Sequence, residues 1–255
     1  MESLELPEQP EQPEQPEQPE LPEQPELPET ASRAEARDLL RQTERTSAKR
    51  SDRVSFDREL AYSILDEGIV AHVGFVVDGA PFVIPMVYGR VEDRLMLHGS
   101  VATRLARTLD AGAPVCVTVT HLDGLVVAKS QFHHSANYRS IVILGNARRL
   151  ADQEAESALE AIVDHALPGR SLEARPTNRV ELRQTMVLAV PIDEASVKMR
   201  TGAPIDDEED QSLEVWSGVL PLRTVVGEPQ PDEFTPPDGS LPPSVTAVLQ
   251  RLAGW

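Results

Sequence analysis

The stretch IVAHVGFVVDGAPFVIPMVYG, Ile69–Gly89, decides how this chain folds. Two apolar, β-branched runs flank Asp78-Gly79, a dipeptide that supplies the positive φ angles of a tight hairpin turn. The spacing predicts one strand on each side. Pro85 falls inside the returning strand, and proline donates no hydrogen bond to a ladder. The second strand therefore belongs at a sheet edge or a bulge, where something other than a neighbouring strand approaches.

Working outward, RLMLHGS follows after the polar turn VED. PVCVTVTHL and GLVVAKSQ flank Asp123-Gly124, a second hairpin signal, and SIVILGNARRL and TMVLAVPI complete the set. About six strands arriving in hairpin order, with short connections, predict antiparallel pairing and a closed barrel. Helices interrupt rather than alternate. SFDRELAYSILDEG reads as one, capped by Ser55, with Leu60, Ile64 and Leu65 on its apolar stripe and Gly68 as its stop. VATRLARTLDAG is the next. DQEAESALEAIVDHAL follows, with Ala155, Leu159, Ile162, Val163 and Ala166 on one side. TNRVELR and SVTAVLQRLAG complete the helices, and an earlier one is predicted over Ala34–Leu40.

The ends differ in composition. From Pro7 to Pro28 a proline recurs at every third position, and the first thirty residues hold ten glutamates and no Lys or Arg. Such a segment favours extended polyproline II and has no apolar face to bury. It reads as a tail, 1–30, either a solubilising spacer or a ligand for a Pro-binding partner. A lead-in arm spans 31–54, the barrel domain 55–225, and a Pro-rich extension with a short helix 226–255. The tail supplies ten of the eighteen net negative charges, so the remaining 225 residues carry −8. That balance, with no basic stripe, argues against a nucleic-acid partner. No apolar run reaches the roughly 18 residues of a membrane span. The tail has neither the basic nor the apolar region of a signal peptide. The single cysteine, Cys116, forbids a disulfide framework, points to the cytoplasm, and reads as a core residue.

Three polar clusters interrupt the apolar strands. In LHGSVATRLAR, Leu97–Arg107, a strand runs into a helix start that carries Ser100, Thr103 and Arg104. Hydroxyls and a guanidinium there suit a phosphate, and they equally describe a capped, solvated helix. In IPMVYG the edge strand Ile84–Val87 offers backbone groups to a flat heteroaromatic, or is an ordinary edge. In HHSANYRS, a strand-entry loop, Asn137, Tyr138, Arg139 and Ser140 either line a ligand rim or satisfy one another, with Arg139 paired to an acid. A metal site built from His98, His121, His133 and His134 is disfavoured, because adjacent strand residues point to opposite faces. GxSxG and GxGxxG are absent, which removes an α/β-hydrolase elbow and a Rossmann site.

Together, GIVAHVGFVVDGAPFVIPMVYG, LHGSVATR and THLDGLVVAKSQFHHSANYRS resemble the flavin-nucleotide-binding branch of the pyridoxamine 5′-phosphate oxidase-like family, which is similar to the nitroimidazole-reductase group. The resemblance spans about Arg45–Leu222. It implies a mainly β fold with flanking helices: a six-stranded antiparallel split β-barrel that binds FMN between the subunits of a homodimer. By the same resemblance, Ser100, Thr103 and Arg104 clamp the phosphate, and Ile84, Pro85, Met86 and Val87 lie along the isoalloxazine ring. His98 sits near the flavin as a candidate catalytic proton donor. Asn137, Tyr138, Arg139 and Ser140 precede a flavin-facing strand, and Arg200 and Trp216 stand at the dimer-side rim. The implied activity is an FMN-dependent oxidoreductase acting on a small organic substrate. The alternative is a flavin-binding or redox-sensing protein without turnover. Family members divide over whether FMN, a deazaflavin or heme is bound. True pyridoxamine 5′-phosphate oxidases carry an Arg-x-x-x-Lys pair in the second strand and a closing Arg-Leu-x-Pro. This chain has PFVIPMV and ends in RLAGW, so vitamin B6 oxidation is not expected.

Overall fold

The computed structural model describes residues 38–235 and 240–253. The Pro-Glu-Gln tail, and residues 34–37 of the first predicted helix, lie outside the described residues. The described end of that segment is extended rather than helical. Leu39 bridges Asp57, and Leu40 is buried in the core.

Eleven strands form two antiparallel sheets among the described residues. They are β1 (Val54–Ser55), β2 (Val70–Val77), β3 (Ala80–Val87), β4 (Gly89–Val91), β5 (Arg94–Ser100) and β6 (Pro114–Val127). β7 (Ser135–Asn146), β8 (Arg148–Leu150), β9 (Thr185–Pro191), β10 (Glu194–Arg200) and β11 (Gly218–Pro221) follow. The larger sheet runs β1-β10-β7-β6-β2-β3, with β11 beside the second half of β6, and the smaller runs β4-β5-β9-β8. The inner faces pack together as one core. Leu95, Leu97, Leu188 and Val190 of the small sheet meet Val73, Val117, Ile141 and Val197 of the large one. This is a mainly β split barrel, with two sheets where the sequence predicted a single six-stranded wall.

The opening hairpin forms as its sequence dictates. Asp78 and Gly79 take φ angles of 51° and 78°, and β2 pairs with β3 along its whole length. β2 alternates cleanly: Ala71, Val73 and Phe75 are buried, while Val70, His72 and Val76 face out. β3 ends the sheet, so its far edge has no strand partner, and Pro85 sits opposite His72 within it.

The helices flank the sheets. α1 (Arg58–Glu67) is capped by Asp57, not Ser55; the Asp57 side chain accepts the Leu60 N–H at 2.7 Å, while Ser55 belongs to β1. It buries Ala61, Ile64 and Leu65. α2 (Arg104–Asp110) follows β5. α3 (Asp152–Ala166) covers the outer face of the small sheet through Ala158 and Ile162, leaving Val163 exposed. α4 (Arg170–Glu173) and α5 (Arg179–Gln184) lead into β9. α6 (Pro243–Ala253) docks beside α4, where Ser244 donates its backbone N–H and its hydroxyl to Glu173. No helix among the described residues is long and apolar enough to cross a membrane.

Three local readings are corrected. Asp123-Gly124 is not a hairpin turn: β6 runs straight through it and absorbs Asp123 as a bulge between Leu122 and Gly124. Long pairing with β7 outweighs the local turn preference. Gly124 is also pressed by β11, since a Cβ there would lie 3.0 Å from the Leu220 carbonyl. Asn137–Ser140 lie inside β7 rather than in an entry loop. Cys116 is half-buried on the outer face, opposite Gly74 and Leu144, not in the core. Desolvation raises its thiol pKa, which leaves it unactivated.

Candidate functional site

The edge strand and the β5–α2 corner come together. Thr103 is the N-cap of α2: its hydroxyl accepts the Ala106 N–H at 3.2 Å and donates to the Ser100 carbonyl at 2.9 Å. Ser100 is exposed and its hydroxyl accepts the Ala102 N–H at 3.4 Å. The Arg104 guanidinium lies 4.7 Å from the centre of the Phe82 ring on β3. It makes no ion pair among the described residues. Phe82 in turn stacks on Phe75, at 5.7 Å between centroids. One positive charge is thereby held over the strand whose far edge is open. Ile84 and Val87 are exposed there.

His98 stands on β5, opposite Val187 of β9, on the face away from the barrel core. Its Nδ1 is buried and has no hydrogen-bond partner. Burial pushes its pKa below the ordinary imidazole value. At neutral pH the ring is therefore uncharged, which suits a hydrogen-bond acceptor or a metal-ligating imidazole better than a proton donor.

The second group of predicted residues lies elsewhere. Asn137, Arg139 and Arg200 cluster around β7 and β10. β6 and β2 separate β7 from β3, which puts the two groups about 14 Å apart across the sheet. The four NYRS side chains alternate. Tyr138 and Ser140 face outward, and Asn137 and Arg139 face inward with Ile141. Arg139 donates to Glu67 at 2.5 and 2.9 Å and to Asp123 at 2.9 and 3.0 Å. These two partners drive its pKa above the ordinary range and hold Glu67 below the usual carboxylate range. Arg139 thus ties α1 to the β6 bulge. Asn137 accepts from the Arg200 guanidinium at 2.5 Å and donates to the Gly202 carbonyl. Ser140 donates to the Lys198 carbonyl. Trp216 is exposed and folds back over Gly218.

One chain therefore presents two half-groups rather than one closed pocket. The outer face of the large sheet also exposes Val70, Val76, Val83, Val87, Leu122 and Leu125. Tyr138 and Ser140 point to that same face. Sequence reasoning missed a third grouping. His133, bonded through Nδ1 to the Ser130 hydroxyl, lies with Asp206 and Asp210 so that one ligand atom of each falls within 4.8 Å of the others. The two aspartates arrive from a distant loop, which no local spacing reveals.

Two facing antiparallel sheets with an open edge strand define a split barrel of the flavoprotein type. The sequence profile of the family described as pyridoxamine 5′-phosphate oxidase matches residues 57–199, and the chain belongs to that family. No curated protein matches. Among solved structures, the flavocytochrome Anf3 from Azotobacter vinelandii is 39% identical, over 80% of this chain and 96% of that one, with a TM-score of 0.75. The FAD and heme binding protein from Mycobacterium smegmatis is 40% identical, over 76% and 96%, with a TM-score of 0.74. A putative 5-nitroimidazole antibiotic resistance protein from Bacteroides thetaiotaomicron is more distant, at 24% identity over 57% and 85% and a TM-score of 0.49.

Proposed function

We propose that this chain is a flavin-dependent redox protein that works as a homodimer on a small organic substrate, with flavin held between subunits. The observation that carries the reading is the open edge of β3 facing Arg104 and the Ser100–Thr103 turn. A flavin has a flat ring with alternating donors and acceptors, and a phosphate. An unpaired strand edge fits the first, and an uncommitted guanidinium fits the second. When bound, the flavin supplies the electron-transfer chemistry, and the protein orients it. The exposed apolar outer face supports the dimer, since a patch of that kind on a soluble protein marks an interaction surface. A second copy docked there supplies Tyr138 and Ser140 to the half-group of the first. The sequence pattern favours FMN, whereas the Mycobacterium smegmatis relative is an FAD protein, so both flavins are candidates.

The test is a visible spectrum of the purified protein with mass analysis of the released ligand. Arg104→Ala is expected to weaken flavin retention while leaving the thermal transition in place. Unchanged flavin affinity in that variant refutes the clamp, and a chain that takes up neither flavin refutes the reading. Acceptor-dependent oxidation of a nicotinamide donor separates an enzyme from a flavin-binding sensor.

His98 favours a second group. Both relatives near 40% identity are heme proteins by name, and a buried, neutral, unpartnered imidazole fits an iron ligand. A Soret band after hemin addition, lost in His98→Ala, supports a flavin–heme chain. An identical band in that variant excludes His98 as the ligand.

A further inference from the structure

Arg200 is only 8% exposed, yet no carboxylate faces it among the described residues. Its guanidinium donates to Asn137 Oδ1 at 2.5 Å, to the Gly202 carbonyl at 3.3 Å and to the Ala203 carbonyl at 3.1 Å, all uncharged acceptors. A buried cation without a counter-ion is costly, and such groups are ordinarily paired.

Arg200 forms part of the wall of a cavity of about 370 Å³, where the lead-in arm crosses the end of β10. Arg50 and Arg53 come from the arm to the same cavity. The one acid there, Asp52, reaches Arg53 only at 4.0 Å. Three guanidiniums against one carboxylate leave a net positive hollow. Its remaining wall is divided by chemistry. Val54, Met199 and Ile205 are apolar, and Ser55 and Thr201 carry hydroxyls.

We infer that this cavity is an adenylate-binding subsite, in which the arginines take the phosphate, the hydroxyls the ribose, and the apolar side chains the base. The cavity lies at the low end of the ~300–1,000 Å³ of small-molecule sites, which suits half a dinucleotide. Guanidiniums are the side chains suited to bidentate phosphate recognition. Met and Ile offer a polarisable apolar surface to a flat ring. The adenylate has two possible sources: the adenosine half of FAD, which rests on the flavin reading above, or a separate adenine nucleotide.

The experiment compares apoprotein and Arg50→Ala/Arg53→Ala protein by calorimetry with FMN, FAD and AMP. The substituted side chains are on the arm surface, and Arg200 is left intact because it holds Asn137 and the Gly202 turn. If FAD is the source, FAD binds about tenfold or more tighter than FMN. The double variant then loses that preference while keeping its FMN affinity. If a separate nucleotide is the source, FAD and FMN bind alike, and AMP binds protein already saturated with FMN; the variant loses AMP alone. Equal flavin affinities with no AMP binding overturn the subsite, as does a variant that keeps every affinity. AMP binding without any flavin uptake leaves the subsite standing and removes the flavin reading. No binding of any of the three removes both.

Discussion

Replacing Arg139 by methionine separates a fold contact from a ligand contact. Met keeps an unbranched apolar stem and deletes four hydrogen bonds to Glu67 and Asp123. The three side chains are 26%, 28% and 32% exposed, so the network is neither buried nor free. Breaking a fully buried ion pair costs about 3–5 kcal/mol, and an exposed one about 0–1. The intermediate burial, discounted for solvent screening, places this loss near 2 kcal/mol at pH 7. In urea that moves the midpoint by roughly 1 M, for slopes of ~1–3 kcal/mol/M. The loss depends on pH in a definite direction. The Arg139 guanidinium holds the folded Glu67 carboxyl below its ordinary value, so its contribution is complete above the unfolded pKa, about 4.3. It disappears as pH falls through the lowered folded value. The gap between wild type and Arg139→Met should therefore close on acidification below about pH 4. A gap under about 0.5 kcal/mol at pH 7, or one that does not change with pH, would refute this account. Lost flavin with unchanged stability would move Arg139 from the fold to the ligand.

Gly89→Ala should destabilise by about 1–3 kcal/mol in thermal unfolding, because a Cβ there meets the α3 backbone at 2.9 Å from Ile162 Cα; an unchanged midpoint would mean that α3 floats freely on β4. Arg45 and Thr43 pull the Glu194 carboxyl down to about 2. Wild-type protein should thus lose stability between about pH 4.5 and 2, and Glu194→Gln should flatten that part of an acid-unfolding curve. Identical acid curves would show that the arm is held by other contacts. Removing residues 1–30 should leave flavin affinity as it is, and a loss on titration would mean that the tail belongs to the domain.

The hairpin at Asp78-Gly79, the edge character of β3 and the five later helices were legible because local chemistry and tertiary context agree there. Asp123-Gly124 misled because the same dipeptide serves a turn or a bulge, and only pairing with β7 decides. β10 was invisible: EASVKMR alternates poorly, and its strand character comes from pairing with β7 and β1. The corner of Ser100, Thr103 and Arg104 was readable, since contiguous residues carry it. Its contact with Phe82, the commitment of Arg139 to Glu67 and the cavity joining Arg50 to Arg200 all depend on partners remote in the chain. Residue spacing holds no record of such meetings.

The two prolines of β3 have a consequence for the life of the protein in a crowded cell. An open strand edge is a template on which another chain can polymerise, and natural sheets defend such edges. Here the other edge of the large sheet is closed by the short strand β1. β3 must stay uncovered to serve a ligand, and Pro81 and Pro85 sit along it without an N–H to offer. An incoming strand finds a broken ladder, whereas a small planar molecule needs only a few of its rungs. The edge thereby discriminates by length, admitting a ring and turning away a polypeptide.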